Sequence, residues 1–276
     1  MTTYLAAYDT ENPKCHAALP RIVEIHEKHG MPATFFIVSG IVPGHEAEMK
    51  ALLDNPLFEI ASHTHTHELL ATHSRSVAPP VPEHTLPDEI LGSKQRLEDL
   101  FGRQVNGFRP PWGYGEGLKH TPRLLELLKE GRYQYVSSVL WGPNDTLPAI
   151  IQPAYTYAAQ GYPALWEIPS CGWHENVLKK AVVSLGDVAA PSAPFPGAIP
   201  AGLFASPEDE FAINRIFIDR AVKVGNPHVT LIWHPWSLGG FDPEMKMLDL
   251  TFSYVRELRL LCGKFGEYAA MLAKDE

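Results

Sequence analysis

Positive charge, cysteine and long apolar runs are all scarce in this chain, and each scarcity removes a class of function. Its 276 residues carry 23 Lys and Arg against 32 Asp and Glu, a net charge of −9 with histidine neutral. No extended run of Lys and Arg appears, so the electrostatic footprint of a nucleic-acid partner or an anionic membrane surface is missing. The three cysteines, Cys15, Cys171 and Cys262, are odd in number and far apart. They fit neither a disulfide framework nor a zinc knuckle, and all three are expected to be reduced and structural. No apolar stretch is long enough to span a bilayer. The start "MTTYLAAYDTEN" lacks the basic and apolar regions of a secretory signal, so the expectation is a cytoplasmic protein, unless a leader has been removed. No repeat or linker divides the chain, and residues 1–276 are read as one domain, a common size for a closed α/β barrel.

Strand and helix patterns alternate along the chain. Seven short runs rich in β-branched and aromatic residues read as strands: 4–9, 33–38, 58–62, 106–109, 133–139, 164–169 and 228–234. Helical periodicity covers 16–30, ending at Gly30, and 86–102, ending at Gly102. A third helix spans 121–131, with Thr121 as N-cap, Pro122 at the first helical position and Gly131 as stop. Two more cover about 207–224 and much of 243–274. The alternation predicts a parallel sheet, and near-continuous apolar strands predict its closure into a distorted seven-stranded (β/α) barrel. Two Pro- and Ala-rich segments, 73–87 and 188–202, read as long surface loops.

In such a barrel the chemistry gathers past the C-terminal ends of the strands. The residues there are Asp9 and Glu11 after the first strand, then His63, His65 and His67 after the third. Arg109 follows the fourth, backed by Pro110 and Pro111. Ser137, Ser138 and Trp141 follow the fifth, Glu167 the sixth and His234 the seventh. Each alone has an ordinary reading: a polar turn for the histidines, a solvated loop acid for Glu11, a structural ion pair for Arg109, a satisfied core histidine for His234. Their collection at one rim is much harder to assign to chance.

The order of "YDTE" (8–11), "HTHTH" (63–67), "FRPPWG" (108–113) and "LIWHP" (231–235) resembles the motif series of the polysaccharide deacetylases, carbohydrate esterase family four. The resemblance spans about residues 4 to 235. It implies a single catalytic domain that hydrolyses a carbon–nitrogen amide bond with a divalent metal, removing acetyl from an N-acetylated sugar, oligosaccharide or polysaccharide. Carried over by position, His63 and His67 bind the metal and His65 does not. Asp9 is the catalytic base and Glu11 the third ligand; the exchange of these two roles stays open. Arg109 holds Asp9, and His234 is the general acid. Pro110 stiffens the substrate loop, and Trp112, Tyr114 and Trp141 line a sugar-binding wall. Two histidines and a carboxylate suit Zn2+, with Co2+, Ni2+ and Fe2+ as alternatives.

Two departures from the family pattern matter. The first motif is Asp9-Thr10-Glu11 rather than two adjacent aspartates, a form found in a branch that also includes ring-amide hydrolases. No acidic partner for His234 stands out; Asp145 and Glu167 are the candidates. The alternatives to a sugar deacetylase are a hydrolase of a small cyclic amide or imide and a non-catalytic carbohydrate-binding module.

Overall fold

A computed structural model describes residues 1–179 and 205–275. The chain runs through β1 (Thr3–Thr10), α1 (Cys15–His29), β2 (Ala33–Ile37), α2 (Glu46–Leu53) and β3 (Phe58–Ser62). It continues with α3 (Ser93–Phe101), β4 (Gly107–Phe108), α4 (Pro122–Glu130), β5 (Tyr135–Val136), β6 (Tyr155–Tyr157) and β7 (Tyr162–Glu167). The last part holds α5 (Pro207–Val224), β8 (His228–Val229), α6 (Pro235–Phe241), α7 (Lys246–Glu257), β9 (Leu261–Gly263) and α8 (Phe265–Asp275).

The result is an α/β fold around a parallel sheet in the order β6-β7-β5-β4-β3-β2-β1-β8, with β9 also on β1. Among the described residues only β6 is antiparallel to its neighbour. All seven expected strands are present, and β6 and β9 are additional. Among the described residues the ladder is open between β6 and β8. The chain that follows β7 and the chain that follows β8 are linked by a bridge between His174 and Ile232 and by Cys171 N–H donating to Thr230 O at 2.9 Å.

Side-chain alternation along β1 explains where the site lies. Tyr4, Ala6 and Tyr8 join the large core between sheet and helices, whereas Leu5 and Ala7 face a smaller cluster with Phe36, Ala61, Tyr135, Trp166 and Ile168. Phe265, Tyr268 and Ala269 of α8 close that cluster from below. Continuing the same alternation past the apolar residues leads to Asp9, His63, Ser137 and Ser170. One sheet face is therefore apolar at the bottom and polar at the top.

The helices hold small surprises. Gly30 and Gly102 end α1 and α3 in the left-handed conformation, as expected. Thr121 stands at the cap position of α4 but its hydroxyl donates back to Leu118 O, at 3.0 Å, rather than capping the helix. Gly131 is right-handed, and Arg132 makes the left-handed turn instead. The single helical pattern over 243–274 resolves into α7 and α8 with β9 between them. The segment 73–87 is largely irregular, as expected, whereas 188–202 lies outside the described residues.

Candidate active site

Asp9, at the end of β1, is 3% exposed and Arg109, after β4, is fully buried. Arg109 Nη1 donates to Asp9 Oδ1 at 2.5 Å. Its Nη2 reaches Ser137 Oγ at 3.0 Å and Ser170 Oγ at 3.1 Å. The guanidinium lies 4.0 Å over the Phe36 ring. Arg109 thus grips Asp9 by one nitrogen and two serines by the other, rather than forking onto the carboxylate. Burial alone would raise the Asp9 pKa, but Arg109, His63 and His234 outweigh it and hold the group below its ordinary value.

The histidine loop is built to turn sharply. Thr64 and His67 both have positive φ, 71° and 64°, which non-glycine residues seldom adopt. His67 N–H donates to Thr64 Oγ1 at 3.1 Å. Buried Glu89 accepts from His65 N–H, Thr66 N–H and the Thr66 hydroxyl. His65 is bonded to Ser39 Oγ through Nδ1 and does not join the cluster formed by its neighbours.

His63, His67 and Glu11 converge. One ligand atom from each lies within 4.8 Å of the others. Glu11 Oε2 is 2.9 Å from His67 Nε2 and 3.8 Å from His63 Nε2. His63 Nδ1 is 2.8 Å from Arg109 O; a carbonyl only accepts, so Nδ1 is the donor, and in the neutral ring it is Nε2 that presents a lone pair. That Nε2 is buried with no hydrogen-bond partner. An orphaned lone pair beside a second imidazole and a carboxylate fits a divalent cation. Burial opposes ionisation of Glu11, but His234 and His67 hold its pKa well below the usual carboxylate range.

His234 completes the ring. Its Nε2 is 4.0 Å from Asp9 Oδ2 and 3.8 Å from Glu11 Oε2. Its Nδ1 donates to Glu175 Oε2 at 3.0 Å, and its backbone N–H to Glu175 Oε1 at 3.1 Å. Glu175 is therefore the acidic partner that neither sequence candidate supplies. Glu167 instead accepts from Ser138, Val139 and Tyr157, and Asp145 from Ser74 and Gly115. Glu175 meets the buried Lys179, which also faces buried Glu210. Burial lowers the His234 pKa, but Glu11, Glu175 and Asp9 overcome it and lift the group to about 9.

These groups line a cavity of about 190 Å³, walled further by Trp112, Leu140, Trp141, His174 and Asn176. Trp141 donates its indole N–H to Trp112 O at 2.6 Å, which ties the two walls together. Of the expected sugar-contacting residues, Trp112 and Trp141 reach this cavity. Tyr114 lines a different one with Ala71, Thr72 and His120, and Pro110 is buried behind the loop. Sequence reasoning missed Glu175, His174 and Trp236. The only available signal was the crowding of "CGWHEN" (171–176) and "HPW" (234–236).

Residues 5–136 match the family described as polysaccharide deacetylase. A peptidoglycan deacetylase of Helicobacter pylori is 22% identical over 172 residues, 62% of this chain and 52% of the relative. The chain thus spans about half the length of that curated protein. Among solved structures, a Mycobacterium smegmatis protein assigned to the polysaccharide deacetylases superposes with a TM-score of 0.70 at 18% identity, over 100% of this chain and 92% of that one. PuuE allantoinase superposes at 0.66 with 14% identity, over 98% and 88%. A family-four pseudoenzyme from Bacillus anthracis superposes at 0.57 with 14% identity, over 98% and 66%. The match to the polysaccharide deacetylase family thus covers 5–136 of the 276 residues, and the likeness to the solved structures extends the shared fold over the whole chain. The family match ends before Glu175 and His234, so those two residues stand on geometry.

Proposed function

We propose that the chain is a single catalytic domain that removes acetyl from an N-acetylated sugar or oligosaccharide with the help of one divalent metal. The observation that carries this reading is the convergence of Glu11, His63 and His67 within 4.8 Å, flanked on one side by Asp9 and His234. These three residues would hold the ion, with Zn2+ favoured by the two imidazoles. When bound, the metal supplies Lewis acidity toward an amide carbonyl and lowers the pKa of water.

The chain's own residues do the rest. Asp9, kept ionised by Arg109, accepts the proton of the attacking water at Oδ2, the oxygen that Arg109 does not occupy. His234, lifted to about 9, is cationic near neutral pH, so it carries a proton on Nε2 besides the Nδ1–H given to Glu175, and delivers the Nε2 proton to the departing nitrogen. Acetate and a free amine result. Trp112 and Trp141 wall the cavity, whose volume of about 190 Å³ suits the acetamido group and the ring edge that bears it rather than a whole oligosaccharide.

The same small cavity also suits a small cyclic amide, which keeps that second reading in play. A non-catalytic module is disfavoured because both proton-handling groups and the full ligand set are present. The test is release of acetate from a panel of N-acetyl sugars and oligosaccharides, beside ring opening of cyclic amides, with and without added Zn2+. Metal-stimulated acetate release is the expected result. Turnover of the cyclic amides alone would replace this reading with the second.

A further inference from the structure

We propose that Trp236 is a positioning residue for the metal centre. Its indole N–H holds one oxygen of Glu11, so that the carboxylate serves the metal through its other oxygen alone. The inference rests on the reading of Glu11, His63 and His67 as ligands.

Trp236 Nε1 donates to Glu11 Oε1 at 2.7 Å. The opposite oxygen, Oε2, is the one turned toward the histidines, 2.9 Å from His67 Nε2 and 3.8 Å from His63 Nε2. The two oxygens of one carboxylate are thereby divided between two tasks. A donor on a charged acceptor is among the stronger hydrogen bonds and fixes the plane of the carboxylate. Trp236 lies in the first turn of α6, two residues after His234, and the two rings are 6.2 Å apart. The turn that delivers the His234 imidazole to the cavity also delivers the indole to Glu11. Without that donor, Glu11 is free to rotate or to chelate with both oxygens. Either change disturbs the ligand geometry, and chelation fills a position that a catalytic metal site keeps open for water or substrate.

The experiment measures Zn2+ affinity by competition with a chromophoric chelator, together with the visible spectrum of the Co2+-loaded protein. Wild type is expected to bind one ion. Trp236→Phe keeps the aromatic bulk but lacks the donor, and its affinity should fall by roughly 10- to 100-fold, the usual effect of losing such a partner. Its Co2+ bands should change with the altered coordination. If the phenylalanine variant fails to fold, 3-benzothienylalanine at position 236 replaces the N–H by sulfur and leaves the shape intact. Wild-type affinity and spectrum in a folded variant lacking the N–H would overturn the proposal. Failure of the wild-type protein to bind any ion would overturn the ligand reading beneath it, a separate outcome.

Discussion

At the scale of the residue, the division of labour between Asp9 and Glu11 is the sharpest claim. Asp9 is engaged by Arg109, and Glu11 by His67 and Trp236. Asp9→Asn should keep its metal but turn over slower by roughly two to four powers of ten, the range for loss of a general base. It should also melt earlier, because Arg109 is left fully buried without its counter-charge. Glu11→Gln should instead lose metal affinity, with part of the rate restored by added metal. Metal content and turnover of the two variants decide it; a metal-free Asp9→Asn beside an active Glu11→Gln would reverse the roles. Arg109→Lys asks a second question. Lys retains the charge but cannot serve Asp9, Ser137 and Ser170 in one plane. Turnover should drop at least about tenfold, while metal binding survives, because His63 is held by the Arg109 backbone carbonyl and not by its side chain. Unchanged turnover would remove the Arg109 side chain from the mechanism.

At the scale of the element, the histidine loop is shaped by neighbours outside its own motif. Gly40 donates its N–H to His65 O at 3.0 Å, and a Cβ at Gly40 would stand 2.4 Å from that same oxygen. Gly40→Ala must therefore push the loop away. Its metal affinity should fall by about tenfold or more although no ligand is altered, as when supporting groups around a site are lost. An isothermal metal titration checks this, and wild-type affinity would show that the loop adapts freely. Much of this architecture was legible in the sequence. The strands of β1, β2 and β3 are long enough to show their character, and the helical pattern over about 207–224 coincides with α5. The strands β4, β5 and β8 have two paired residues each, and their sequence runs read longer than the pairing. β6 and β9 carry only three residues apiece, too few for any periodicity. The motif order brought out His63, His67 and His234. Glu175 stayed hidden because it sits in a 3₁₀ turn 59 residues before its partner, where no local pattern points to His234.

At the scale of the whole molecule, buried neutral histidines tie stability to pH. His26 donates from Nδ1 to Met31 O and is bonded at Nε2 to the Tyr8 hydroxyl, while His228 bonds to Pro169 O. Burial pushes both down to about 4 from an ordinary 6.5. Between those values the unfolded chain binds more protons than the folded one, so stability must fall as pH drops through the window. Each histidine contributes a slope of up to roughly 1.4 kcal/mol per pH unit. Urea unfolding near pH 6.5 and near pH 4.5 should differ by a few kcal/mol; equal stabilities would contradict the burial of these two neutral rings. The same molecule-wide packing places Glu11, His63 and His67, from two separate loops, around one point, and on that convergence the functional reading depends. Elemental analysis of gently purified protein tests it most directly. About one divalent ion per chain is expected, lost from His63→Ala and from His67→Ala but retained by His65→Ala, whose imidazole is bonded to Ser39 instead. Equal loss from all three variants, or a wild-type protein that binds no ion even when Zn2+ is supplied, would contradict the account.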